Sequence, residues 1–510
     1  MLPTLVVLVA VSLGTTTATD VVVTTRLGQV RGSRVSTGPS TYLDTFLGVP
    51  YAKPPVGALR FAATQPVSPW RGTLDATRYG PACPQSRRGG TSEDCLTLNI
   101  VAPGSRPCNQ GLLPVMVYIH GGGFVEGASA DFNGTRLAQK GVVFVTINYR
   151  LDILGFLSTQ DDASPGNYGL LDAIESLKWI KANIASFGGN PGDKVIMESG
   201  VSVCKWASML PTSTPSPLTS AQAVATKLGC PVNQGSGALV TCVKNQPLDR
   251  VLNASASIRT SYLSVFVPMV ETGFGVLPKA PEQLIREGAG RGILAIRGTN
   301  RDEVKVTSSM NLTDAEAAIM QQALIYFPRG AQQATTALLQ EYILGANYTT
   351  NPQIAQGVNQ ICSDLYFNYP MMKESLLSAS VPGSARQYVY QFSYLSPRLG
   401  FPEWAGVPHT AEIPFVSGLP FDATKNWTDT DKQVSNDMMD MWTNFAKHVD
   451  PTPLNSVLDP TPLDSDGVMW LPYTPAVQAY LRFESKPSLS SRLNRNKMEF
   501  LESLFEQYGQ

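Results

Sequence analysis

Residues 114–124, PVMVYIHGGGF, decide the fold. Val115–Ile119 is an unbroken run of β-branched and large apolar side chains, and it ends directly in three glycines. A run without polar alternation predicts a strand covered on both faces, as in a parallel sheet lying between helices. Val142–Ile147 (VVFVTI) reads the same way, and the intervening DFNGTRLAQKG reads as a polar connection with a short helix. Two further buried strands are expected at Ile293–Ile296 and Tyr388–Phe392. Between these strands, Ala173, Leu177, Ile180 and Ile184 recur at helical spacing, and FGGNPGD (187–193) supplies the glycines and proline that end a helix. Val434, Met438, Met441, Trp442 and Phe445 mark a late helix packed by one face. Strands alternating with helices make the fold class α/β with a mostly parallel central sheet. Residues 215–285 and 310–380 look mostly helical, and no linker sets them off. They are expected to be insertions into one domain spanning 20–510.

Composition narrows the function classes. The chain has 510 residues, 43% apolar and 15% charged, with a formal net charge of −1. That is ordinary globular chemistry, without the basic footprint of a nucleic-acid partner. Leu5–Leu13 (LVVLVAVSL) is too short to span a bilayer and suits the apolar part of a signal peptide, with residues 1–19 removed. No later run is long enough for a membrane helix, so a secreted, extracellular protein is expected. Cys83 with Cys95 and Cys230 with Cys242 read as short-loop disulfides in an oxidising compartment; Cys108, Cys204 and Cys362 stay unassigned. Asn-x-Ser/Thr sequons at Asn133, Asn253, Asn311, Asn347 and Asn426 fit a glycosylated surface.

His120-Gly121-Gly122-Gly123-Phe124 carries the first chemical signal. Glycines at a strand end let backbone N–H groups be approached closely, which is what an oxyanion needs. Around this turn, LGVPYAKPPVGALRF (47–61), SEDCLTLNI (92–100), NYRL (148–151), GNYGLLDAIESLKWIKANIASFGGNP (166–191) and the tail 403–451 follow in order. Together these blocks resemble the type-B carboxylesterase, cholinesterase and lipase family, most of all its fungal secreted members. The resemblance implies an α/β-hydrolase fold and a serine esterase with a Ser, Glu, His triad in that chain order.

Carried over residue by residue, GTNRDEV (298–304) resembles the block of the acid and places that role on Glu303, with Asp302 as the alternative. EWAGVPHTAEIPFVSG (403–418) resembles the block of the base and places it on His409. Gly122 and Gly123 carry over as oxyanion donors. Of the two other histidines, His120 is expected to shape the glycine turn and His448 to be solvated. Trp206 resembles the aromatic lining the family's acyl pocket, and a plain core role fits it nearly as well.

The nucleophile does not carry over. The family places it in a Gly-x-Ser-x-Gly elbow between a strand and a helix, and no such pattern occurs anywhere in the chain. FGGNPGDKV (187–195) is followed at once by IMESGVSVCKWAS (196–208), which resembles the block beyond the next strand. About thirty residues of the family pattern are therefore expected to be absent at the Val195–Ile196 junction, taking a central strand and its helix with them. Ser199 is the candidate substitute, although Met197 and Val201 stand where the elbow needs small residues. Ser202 is weaker still.

Three readings follow: an esterase impaired by the lost serine, a non-catalytic cholinesterase-like binding protein, and a truncated gene model or splice product of an active parent. For an active enzyme the partners would be small carboxylic esters. The short loop between Cys83 and Cys95 argues against a lipase lid, and it holds no aromatic for choline. No metal-ligand cluster or nucleotide fingerprint appears, so no cofactor is expected.

Overall fold

The computed structural model describes residues 19–38, 40–104, 111–190, 192, 194–259, 265–305, 309–453 and 468–509. The leader expected over the first residues and Cys108 lie outside them.

Among the described residues, thirteen strands form two sheets. The strands are β1 (Thr19–Thr24), β2 (Gln29–Gly38), β3 (Thr41–Pro50), β4 (Thr73–Asp75), β5 (Thr97–Pro103), β6 (Leu113–Ile119), β7 (Val143–Ile147), β8 (Gly189–Asn190), β9 (Lys194–Glu198), β10 (Leu294–Asn300), β11 (Gln387–Phe392), β12 (Ala479–Phe483) and β13 (Ser488–Ser491). The first sheet has the order β1-β2-β3-β5-β7-β6-β8, with β4 beside β2. It is antiparallel up to β7 and parallel from β7 through β6 to β8. The second sheet runs β13-β12-β11-β10-β9 and is parallel from β12 to β9.

The expected strands at 115–119, 142–147 and 388–392 are β6, β7 and β11. The strand expected at 293–296 begins one residue later and runs on to Asn300. Ile293 itself is exposed. The N-terminal meander of β1–β5 was not anticipated, because its strands mix polar and charged residues with apolar ones and carry no strong periodic signal.

Among the described residues, β6 of the first sheet and β9 of the second do not pair. β8 pairs Gly189 and Asn190 with Leu113 and Pro114 at the start of β6, and the chain then crosses into β9 within four residues. Among the described residues, β6 from Val115 onward has a partner on one side only, β7, and β9 has one only, β10. Burial follows from this. β7 and β11 are buried at every position, whereas β9 is only half-buried throughout and β6 beyond its first residue is half-buried or open. The expectation that β6 is covered on both faces fails for this reason.

The Asp429–His448 helix spans both sheets. Its apolar face forms the largest core with Phe144, Ile296, Tyr390 and Trp470, and Met116 and Tyr118 of β6 and Ile196 of β9 pack against the same cluster. Two hydrogen bonds fix β9 to it, from Lys194 Nζ to the Ala446 carbonyl (2.6 Å) and from Trp442 Nε1 to Glu198 Oε1 (2.6 Å). On the other face, the Tyr168–Asn183 helix lays Trp179 and Ile180 on the first sheet, and Ile184 follows in the next turn. Leu177, expected on that stripe, is 45% exposed, and Ile174 is 36% exposed. The helix therefore turns part of an apolar face outward. The regions between β9 and β10 and between β10 and β11 are helical, including Pro217–Leu228, Ser236–Lys244, Leu312–Tyr326 and Asn351–Ser363.

Cys83–Cys95 and Cys230–Cys242 are disulfides. Cys204 and Cys362 are buried free thiols, each pushed up to about 12 by burial. All five sequon asparagines are exposed.

Candidate active site

The site grows from the end of β10. Its last residue, Asn300, leads into a turn that returns Glu303 beneath it, and the Asn300 N–H donates to Glu303 Oε1 at 2.7 Å. The His409 N–H donates to the Glu303 carbonyl (3.0 Å), and His409 Nδ1 meets Glu303 Oε2 at 2.6 Å. Both carboxylate oxygens of Glu303 are thus engaged, and its side chain is fully shielded from solvent while that of His409 is 48% exposed. Burial works against protonation of His409. The hydrogen bond and charge of Glu303, and the charge of Glu412 beyond it, outweigh burial and raise the imidazole above its ordinary value. A carboxylate held on Nδ1 keeps the proton there and leaves Nε2 as the basic nitrogen.

Asp302, the alternative acid, does other work. Its Oδ2 accepts from the Val407 N–H (2.9 Å) and from Arg301 Nε (2.7 Å), so it pins the loop that carries His409. His120 is buried, stacks on Tyr149 with centroids 4.6 Å apart, and places Nδ1 2.9 Å from the Gly121 carbonyl. It shapes the glycine turn, as expected. His448 lies in the last turn of the Asp429–His448 helix.

In the glycine turn, Gly122 and Gly123 have φ of 111° and 59°. A Cβ on Gly122 would come within 2.0 Å of the Glu126 carbonyl oxygen, so only glycine fits. The Gly122 carbonyl accepts from the Val125 and Glu126 amides. Neither the Gly122 nor the Gly123 N–H donates to another described residue. Open amides at a strand end are the donor chemistry an oxyanion requires.

Two acidic residues were missed in the sequence because a lone carboxylate in a loop or at a strand end carries no pattern. Glu412 follows His409 by three positions, is buried, and accepts from Asn300 Nδ2. Burial, then repulsion from Glu303 and Glu198, raises its carboxyl to about 8. Glu198, the last residue of β9, is raised to about 6 by burial despite the bond from Trp442. Three carboxylates therefore cluster at the C-terminal ends of β9 and β10.

Phe367 was also missed. A π-helical turn over Asp364–Asn368 presents it against His409, with centroids 5.1 Å apart, and Trp206 packs on its other side at 5.5 Å. Such turns re-aim side chains that a regular helix would bury elsewhere. Trp206 thus lies one ring from the imidazole, with its Nε1 donating to the Tyr366 carbonyl.

Ser199 is the first residue after β9. It is buried with φ of 52°, donates its N–H to the Gly298 carbonyl (2.9 Å), and its Oγ accepts from Asn300 Nδ2 at 3.4 Å. A left-handed φ at a strand end is one trait of an elbow, but Val201–Trp206 continues in turns rather than a helix. Ser202 donates to Glu374 Oε2 at 2.6 Å, on a different network. Among the described residues, no hydroxyl hydrogen-bonds to His409.

The profile of the carboxylesterase family matches this chain in two stretches, residues 19–193 and 192–501, which meet just before β9. The chain is 31% identical to the fatty acyl-CoA hydrolase precursor, medium chain, of Anas platyrhynchos, over 95% of this chain and 92% of that protein. It is 29% identical to acetylcholinesterase of Bungarus fasciatus, over 92% and 84%. It is also 29% identical to human neuroligin-2, over 94% of this chain and 67% of that protein. With β6, β7 and β9–β12 parallel and helices around them, the architecture is that of the α/β-hydrolase fold, and the chain belongs to the carboxylesterase family.

Proposed function

We propose that this chain is a serine-esterase framework, with base, acid and oxyanion donors assembled around an absent nucleophile. The observation that carries this reading is the pairing of His409 with Glu303 while no hydroxyl meets the imidazole. In the complete mechanism a serine hydroxyl gives its proton to the imidazole, attacks the ester carbonyl, and forms an acyl-enzyme that water then hydrolyses. Gly122 and Gly123 supply two donors for the oxyanion. The third, the amide after the nucleophile, is missing with the elbow.

The divided sheet supports the same reading. The family match breaks where the chain steps from β8 to β9, and that is where the strand leading to an elbow belongs. Ser199 does not substitute for it. Its hydroxyl is buried on Asn300, and Met197 and Val201 crowd the positions that an elbow keeps small. Relative to a complete triad, ester turnover should be lower by roughly 10⁴-fold or more. Two disulfides and five exposed sequons support an extracellular, glycosylated protein whose substrates, were the serine present, would be small carboxylic esters.

The test is hydrolysis of an aryl acetate by the purified chain. Turnover should equal that of His409→Ala, and a rate that collapses in Ser199→Ala would overturn the reading. Sequencing the transcript across the codons for Val195 and Ile196 separates a complete parent esterase from a chain made this way, since only the former carries an insert encoding Gly-x-Ser-x-Gly. The similarity to neuroligin-2 favours a second reading, a non-catalytic binding protein. The retained dyad, which has no evident structural need for an exposed imidazole, speaks against it.

A further inference from the structure

Side chains alternate across a strand. On β9, Lys194, Ile196 and Glu198 turn toward the Asp429–His448 helix, so Val195 and Met197 point to the opposite face. The register sets Val195 beside Ala295 and Ala295 beside Gln387, with Met197 beside Arg297. The Tyr369–Ser380 helix brings Glu374 and Ser378 to this patch. The small side chains of Ala295, Ser378 and Ser384 do not fill the layer between strands and helix, and a cavity of about 170 Å³ remains. Ala295, Arg297, Glu374 and Gln387 are buried and form its floor, whereas Ala289, Arg291 and Ile293 are exposed and form its mouth.

Arg297 carries five N–H donors. Its Nε donates to Glu374 Oε1 (3.2 Å), Nη1 to Gln387 Oε1, and Nη2 to Ser378 Oγ (3.1 Å). One N–H on each Nη therefore donates to no described residue, in a side chain that is only 6% exposed. A buried donor left without an acceptor is costly. The neighbours are already committed: Glu374 Oε2 accepts from Ser202 Oγ and the Val203 N–H, and Gln387 Nε2 donates to the Ile293 and Ala385 carbonyls.

The pair of Arg297 with Glu374 is electrically neutral, so a carboxylate ligand would leave an uncompensated charge on a buried floor. A neutral carbonyl oxygen has two lone pairs and can accept both N–H groups without that cost. Around it, Val195, Met197, Ile285 and Val381 present apolar surface. An apolar cavity of about 150 Å³ holds one benzene. The matching occupant is one ring, or a chain of similar bulk, bearing a single carbonyl.

We propose that this cavity binds a small neutral carbonyl compound, with its oxygen on the Arg297 guanidinium and its apolar body against Val195, Met197 and Ile285. The site lies on the face of β9 and β10 turned away from the Asp429–His448 helix, and it does not rest on the absence of the nucleophile.

The probe is acetophenone, added to the intact chain labelled with carbon-13 at the methionine methyls, with Met197→Leu identifying the Met197 resonance. That resonance should shift saturably while those of Met438 and Met441, in the core on the other face, stay in place. Toluene, which lacks the oxygen, and benzoate, which adds a charge, should each need at least tenfold more ligand for half the shift. Ala295→Leu fills the cavity and should weaken binding at least tenfold. Ala289→Trp, at the exposed mouth and clear of the core, should do the same. No shift at the solubility limit of acetophenone, which would leave the cavity to water alone, overturns the proposal. So does an equal response to toluene or benzoate, or undiminished binding in Ala289→Trp.

Discussion

β7 and β6 are neighbours in one sheet with nearly the same composition, VFVTI against LPVMVYI, yet the first is wholly buried and the second half-open. β10 and β9 repeat the contrast in the other sheet. The difference is not in side chains but in partners: among the described residues β7 and β10 pair on both sides, whereas β9 pairs on one and so does β6 from Val115 onward. An apolar run states that a strand is meant for the interior, and it is silent on whether the neighbour that completes the interior is present. Among the described residues the neighbour is absent along one line, the line at which the proposed reading sets the missing elbow.

The largest expected effect comes from closing the line. Inserting the strand–elbow–helix segment of an active carboxylesterase between Val195 and Ile196 should join the sheets and raise aryl ester turnover by roughly 10⁴-fold. A gain of that size that disappears in His409→Ala supports the comparison. An insert that folds but gives no activity breaks it.

The next effect lies within one helix. Ile180→Ala on the buried face should cost about 2–5 kcal/mol in chemical denaturation. Leu177→Gln on the open face should stay within about 0.5 kcal/mol. Equal costs would mean that the outer face of this helix is covered after all.

Glu412 supplies a pH signature of the clustered carboxylates. Its folded carboxyl titrates near 8 against an ordinary 4.5, so the native state holds the proton more tightly between those values. Stability should therefore fall as pH rises through that window, on the order of 1.4 kcal/mol per unit, and Glu412→Gln should remove that slope. An unchanged slope would show that the Glu412 carboxyl is not raised by the fold.

The smallest effect concerns the dyad. His409 is raised in the folded state, so its pairing with Glu303 stabilises fully below about pH 6.5 and fades as pH rises through the folded value. With the imidazole half exposed, His409→Ala should cost no more than about 1 kcal/mol at pH 5.5 and less at pH 9. A cost that grows with pH contradicts the assignment.

Much of this was legible in the sequence. β6, β7 and β11 announced themselves as apolar runs, the glycine turn by its three glycines, and Glu303 and His409 by blocks shared with the family. Both short disulfides lay at paired spacings. What stayed hidden depends on tertiary context. Leu177 keeps perfect helical spacing and is exposed because nothing packs on it. Glu198 and Glu412 look like surface acids and become site residues only once buried together. Phe367 reaches His409 through a π-helical turn that no residue pattern marks. The division of the sheet was half visible: the sequence contains no Gly-x-Ser-x-Gly, and only the structure shows that, among the described residues, no strand joins β6 to β9.

Intact-mass analysis of the purified chain after exposure to a fluorophosphonate bears most directly on the central claim. An imidazole held by Glu303 with no serine to activate predicts no covalent adduct. One adduct per chain, mapped to Ser199 and abolished by His409→Ala, would contradict it.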